Sequence, residues 1–206
     1  DTRINDASPP LTELAREIAA NRSLAADAPH HFTADSPRVR ALPEFGAYAR
    51  NSIAPDMTVL RIVEVIGQAI DRDMTFDPDA TDVNTLPEEA FARRHGVCQD
   101  FTHIMIGCLR AIGVPAGYVS GFLRTNPPPG RPRLEGADAM HAWVRAWCGE
   151  QTGWIEYDPT NAMFVGADHI VVAHGRDYGD VAPVRGVVRT AGAQDSTQAV
   201  DVVPLA

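Results

Sequence analysis

Gly96-Val97-Cys98-Gln99-Asp100-Phe101-Thr102-His103-Ile104-Met105-Ile106-Gly107-Cys108-Leu109-Arg110-Ala111-Ile112-Gly113-Val114-Pro115 is the stretch whose reading decides the fold. Phe101, Ile104, Met105, Cys108, Leu109 and Ile112 recur at offsets of three, four and seven, the strongest helical period in the chain. Gly113 stands where a helix needs its left-handed C′ residue, and Pro115 lies just beyond the stop. Gly96 separates this helix from the segment before it, so Cys98 falls in the first turn of a buried helix. Asp100, in the same turn, is placed to complement the positive end of the helix dipole. His103 falls opposite the apolar stripe and is expected at the surface.

Upstream of that helix the pattern stays helical. Leu11, Leu14 and Ile18 share a face, and Pro43 is placed to start a short helix through Phe45, Tyr48 and Ala49. Met57 to Ile70 reads as a longer helix burying Leu60, Val63, Ile66 and Ile70. The turn-rich acidic run Phe76-Asp77-Pro78-Asp79-Ala80-Thr81-Asp82 lacks the central Gly and terminal Glu of a calcium loop. Thr85 is expected to cap a helix from Pro87, with Glu88 in the capping-box position. Downstream the pattern changes to strands at Ala116–Leu123, His141–Cys148 and Trp154–Tyr157. Val165–Ala173, Val181–Arg189 and the tail around Val200, Val202 and Val203 are candidates for more. The Pro-rich connection Arg124–Arg133 reads as a surface loop leading towards His141. Helices first and strands later predict an α+β fold, with N-terminal helices packed on an antiparallel sheet. Residues 1–56 are expected to extend a core over 57–206, and the opening Asp1 suggests a piece of a longer polypeptide.

Composition narrows the function. The 206 residues carry 18 basic and 27 acidic groups, a net charge of −9, which disfavours general nucleic-acid binding. No apolar run approaches the roughly 20 residues that span a bilayer, so no membrane partner is expected. The three cysteines, Cys98, Cys108 and Cys148, form no C-x-x-C pair and read as reduced thiols, which favours a cytoplasmic location. No His/Cys pair has recognisable zinc spacing, so neither metal nor cofactor is expected.

The chemistry resides in the order Cys98, His141, Asp158. A thiol is nucleophilic as the thiolate, which a helix N-terminus and an adjacent imidazolium both favour. Unpaired N–H groups in the same turn suit an oxyanion. His141 opens a strand, which fixes its direction as a general base. Gly149 and Gly153 mark a hairpin that brings the end of the next strand, Asp158, back towards His141 as an orienting carboxylate. Each residue also has an ordinary structural explanation: Cys98 as a small core side chain, His141 as a satisfied strand histidine and Asp158 as a turn former before Pro159.

Five stretches, read together, resemble the bacterial transglutaminase-like superfamily. They are Gly96-Val97-Cys98-Gln99-Asp100-Phe101, Leu109-Arg110-Ala111-Ile112-Gly113-Val114-Pro115-Ala116, Tyr118-Val119-Ser120-Gly121-Phe122, His141-Ala142-Trp143-Val144 and Trp154-Ile155-Glu156-Tyr157-Asp158-Pro159-Thr160-Asn161. The later run His169 to Gly186 is similar to these proteins too. The resemblance implies a papain-like transglutaminase core with Cys98 as nucleophile, His141 as base and Asp158 as orienting carboxylate, acting on a peptide or protein substrate. Gln99 and Trp143 are the expected substrate contacts. Water as acceptor makes such an enzyme a protease or amidase, and an amine makes it a crosslinking transferase. The chain has no Lys, so it cannot crosslink to itself through lysines. The alternative from another class is a non-catalytic domain that keeps the cleft for peptide binding. His169, His174 and Asp177 approach the cleft if their segment packs beside the hairpin.

Overall fold

The computed structural model describes residues 6–124 and 140–183, together with 186–187, 189, 191–192 and 199–203. Its apolar stripes assemble in chain order. Helix α1 (Leu11–Ala20) buries Leu14, and a 3₁₀ turn at Pro29–Phe32 buries Phe32. Helix α2 (Pro43–Ser52) has the expected Pro at its first position, and α3 (Val59–Asp73) buries the predicted Leu60, Val63, Ile66 and Ile70. A two-residue strand, β1 (Thr75–Phe76), pairs in parallel with β2 (His95–Gly96) across α4 (Pro87–Arg93). The cap of α4 differs from expectation: Leu86 is the N-cap residue, and the Thr85 hydroxyl accepts instead from the Asp82 N–H.

Helix α5 (Cys98–Ala111) follows, with Gly113 in the left-handed region at φ 89° beyond its end. Every residue from Asp100 to Arg110 is buried. Its apolar stripe meets α2, α3 and the sheet, and its other face is covered too. His103 is therefore buried rather than exposed: it lies against Tyr118, and its Nε2 accepts from the Tyr178 N–H. Burial, reinforced by the charges of Arg38 and Arg110 and opposed by Asp177, lowers its pKa to about 3. Arg110 is buried as well, its guanidinium donating to the carbonyls of Ala116 and Arg176 and to Ser36 Oγ.

Strands β3 (Ala116–Leu123), β4 (Met140–Trp147), β5 (Trp154–Asp158), β6 (Met163–Phe164) and β7 (His169–Gly175) form one antiparallel sheet in the order β6-β5-β4-β3-β7. Gly149 and Gly153, at φ 94° and 72°, supply the left-handed positions of the β4–β5 hairpin. Of the segment read as one strand over Val165–Ala173, only the part from His169 is strand, in β7; residues 165–168 form the loop and turn that follow β6. The last helical turn, α6 (Tyr178–Val181), occupies the start of the run expected as strand Val181–Arg189. The described residues beyond it, and those of the tail at 199–203, are in no strand. Residues 184, 185 and 188, and all of the Pro-rich loop after Arg124, lie outside the described residues. Leu14, Phe45 and Ala49 of the first helices share one core with α3, α5 and the inner sheet face. No helix among the described residues is long and apolar enough to cross a membrane.

Candidate active site

The hairpin register sets the site. Val144 faces Tyr157 and Arg145 faces Glu156 across β4 and β5, so His141, Trp143, Glu156 and Asp158 project from the same sheet face. Asp158 ends β5 and is fully buried. Its Oδ1 accepts from the N–H groups of Thr160 and Asn161, at 2.9 and 3.2 Å, in a turn the Asp-Pro-Thr-Asn sequence prefigures. Its Oδ2 lies 2.7 Å from His141 Nε2, 3.1 Å from His169 Nε2 and 2.7 Å from Asn161 Nδ2. Burial raises a carboxyl pKa, but the bonds from His141 and His169, the imidazole charge and the Asn161 amide outweigh it. The net effect is to hold Asp158 well below the usual carboxylate range.

An ionised carboxylate only accepts, so His141 Nε2 carries its hydrogen and Nδ1 is the nitrogen left for another partner. Cys98, at the first position of α5, is the other side chain that hydrogen-bonds His141. Burial lowers the His141 pKa, while hydrogen bonds to Asp158 and Cys98 and the charges behind them lift it to about 9. Cys98 is half-buried and the His141 side chain is 10% exposed, whereas Cys108 and Cys148 are sealed in the core. Burial pushes the Cys148 thiol up to about 12 and that of Cys108 higher still. The backbone N–H groups of Cys98 and Gln99 are in the helical turn that has no intrahelical acceptor. Asp100 braces this turn: its Oδ2 accepts from the Val97 N–H at 2.8 Å and from Thr81 Oγ1 at 2.6 Å. Tyr118 of β3 is buried close enough to the thiol for its charge, after burial, to help raise the phenol pKa.

The structure brings Cys98, His141 and Asp158 together. Gln99 flanks the thiol, with its amide donating to the Val83 carbonyl at 3.4 Å. Trp143 has no exposed surface: it lies 6.0 Å from His141, ring to ring, and donates its indole N–H to Glu156 at 2.7 Å. The ring expected at the substrate is thus enclosed between His141 and Glu156. Gly121 makes room for that ring, since a Cβ there would stand 2.4 Å from the Trp143 side chain. His169 reaches the site through Asp158, His174 bonds Glu156 at 3.0 Å on the sheet face, and Asp177 turns away to accept from the Arg38 N–H. Asn161 and Thr160 were missed by the sequence reading, although the Asp-Pro-Thr-Asn turn was their signal. His141, Asp158 and His169 also bring potential metal-ligand atoms within 4.8 Å of one another, the one such cluster among the described residues. The oxygens of Asp158 already accept from five donors there.

A thiol at a helix start, facing an imidazole held by a carboxylate on an antiparallel sheet, is a papain-like arrangement. The chain belongs to the Transglutaminase-like superfamily, whose family model matches residues 46–159. An uncharacterized protein of Mycobacterium tuberculosis is 39% identical over 196 residues, covering 93% of this chain and 61% of its own length. The chain thus spans about three fifths of that relative. A protein-glutamine gamma-glutamyltransferase of Pseudomonas aeruginosa is 38% identical over 88 residues, 42% of this chain and 13% of its own. Among solved structures, a candidate cysteine protease from Cytophaga hutchinsonii superposes with a TM-score of 0.63 at 26% identity, covering 78% of this chain and 50% of that one.

Proposed function

We propose that the protein is a cysteine-nucleophile acyl-transfer enzyme that attacks a peptide or carboxamide carbonyl of a peptide or protein substrate. One observation carries this: His141 stands between a buried carboxylate at 2.7 Å and the half-buried thiol of Cys98 at a helix start. The imidazole takes the thiol proton, and the sulfur adds to the carbonyl carbon. The N–H groups of the first helical turn receive the developing oxyanion. His141, as imidazolium stabilised by Asp158, then returns the proton to the departing amine or ammonia, leaving a thioester on Cys98. Water releases the acid; a primary amine releases an amide. Membership of the superfamily supports the reading, and so does the local likeness to a gamma-glutamyltransferase.

The test is mass spectrometry of a peptide mixture incubated with the protein, with and without an added primary amine, beside the Cys98→Ala variant. Cleaved, deamidated and amine-conjugated products differ in mass. The reading expects one of them from the wild type and none from the variant; undiminished turnover by Cys98→Ala would remove it.

A further inference from the structure

Two strands, β4 and β3, separate β5, which carries Asp158, from β7, which carries His169. The two side chains nevertheless meet: His169 Nε2 is 3.1 Å from Asp158 Oδ2, the same oxygen that His141 reaches at 2.7 Å. The His169 side chain is 1% exposed and its ring packs edge-on against Trp143 at 5.2 Å. Its tautomer follows from its partners. An ionised Asp158 accepts, so Nε2 carries the hydrogen, and Nδ1 is the acceptor facing the Gly166 N–H at 3.4 Å. His169 thus donates to Asp158 through Nε2.

We propose that His169 is a positioning residue of the site, clamping the Asp158 carboxylate in the orientation that His141 requires. This rests on the nucleophile reading of Cys98. The hydrogen bonds of Thr160 and Asn161 tie the carboxylate only to its own turn. The bond from His169 ties it to the opposite edge of the sheet. Without that tie the carboxylate is free to tilt away from His141, and the imidazole that serves Cys98 loses part of its support. A hydrogen bond to a charged group, worth about 1.5–3 kcal/mol in full, corresponds to roughly a ten- to hundred-fold effect. Asp158 keeps its other donors, so the expected loss is at the lower end, about ten-fold.

The test separates the donor from the ring. His169→Phe keeps an aromatic ring against Trp143 and removes the N–H. His169→Gln removes the ring and keeps an N–H near the Nε2 position. The rate of iodoacetamide labelling at Cys98 is followed across the pH range, with Cys108 and Cys148 as slow internal references. His169→Phe is expected to displace the profile to higher pH and slow labelling at neutral pH about ten-fold. His169→Gln is expected to stay within about three-fold of wild type. A wild-type profile in His169→Phe, or a larger loss in His169→Gln than in His169→Phe, overturns the clamp and leaves only packing. Wild-type Cys98 that labels no faster than the buried thiols overturns the nucleophile reading itself, a result distinct from either. If both variants unfold, nitrogen NMR of the wild-type imidazoles decides: the account expects the His169 hydrogen on Nε2 at neutral pH, and a hydrogen on Nδ1 overturns it.

Discussion

Asp158→Asn keeps the shape of the side chain and removes its charge, so it isolates what the carboxylate does. The amide has one accepting oxygen and one donating nitrogen. Turned with oxygen towards His141, it sets its NH₂ against the N–H groups of Thr160 and Asn161; turned the other way, it sets the NH₂ against His141, His169 and the Asn161 amide. Each orientation leaves buried donors facing one another. The larger effect is on His141. Against burial, its bonds to Asp158 and Cys98 lift its pKa from 6.5 to about 9, on the order of 3 kcal/mol in favour of the imidazolium. Without the carboxylate charge, burial dominates and the ring becomes neutral at pH 7. The imidazolium form of His141 then falls by roughly two orders of magnitude. The assay is iodoacetamide labelling of Cys98 between pH 5 and 9, read by peptide mass spectrometry. Labelling near neutral pH should drop about a hundred-fold, and substrate turnover by as much as about 10⁴. An Asn variant that labels Cys98 at the wild-type rate at neutral pH would refute the reasoning.

Other consequences follow from the same contacts. His103 is neutral in the fold with a pKa of about 3, so the unfolded chain binds the extra proton below pH 6.5. Stability should therefore fall as pH drops from 6.5 towards 3, by about 1.4 kcal/mol per pH unit, and urea midpoints of His103→Gln should show a shallower slope. His141 has the opposite sign: its folded pKa is raised, so its contribution is complete below pH 6.5 and is lost as pH rises through about 9. The stability gap between wild type and His141→Ala should narrow over that window. Thr81→Val leaves the buried Asp100 with one fewer donor and should cost about 1–3 kcal/mol in urea unfolding, with Thr81→Ser restoring it. Gly121→Ala places a Cβ 2.2 Å from the Ile170 carbonyl oxygen and 2.4 Å from Trp143. It should cost roughly 1–3 kcal/mol and slow Cys98 labelling through the displaced ring.

What could be read in advance was whatever local pattern determines. The α5 stripe, the Gly113 stop, the Pro43 start and the first three long strands depend on period, capping and turn residues a few positions apart, and they appear where the sequence puts them. The convergence of His141 with Asp158 was legible because a hairpin with two glycines fixes its own register. His103 was misread because periodicity identifies one apolar face and is blind to a helix covered on both. The residues that cover its second face, Tyr118 and Tyr178, lie beyond the helix end. Thr85 lost its cap because the Asp82 turn claimed the hydroxyl. The full burial of Trp143 is a tertiary property that the alternation of its strand does not determine. The His169 contact, across two intervening strands, left no local signal that could assign its partner.

The direct test of the central claim is the intact mass of acid-quenched protein taken during turnover of a peptide mixture. A thioester on Cys98 should add the acyl mass, vanish with hydroxylamine, and be absent from Cys98→Ala. Turnover that proceeds in Cys98→Ala, or a wild-type enzyme whose acyl group sits on any other residue, would contradict it.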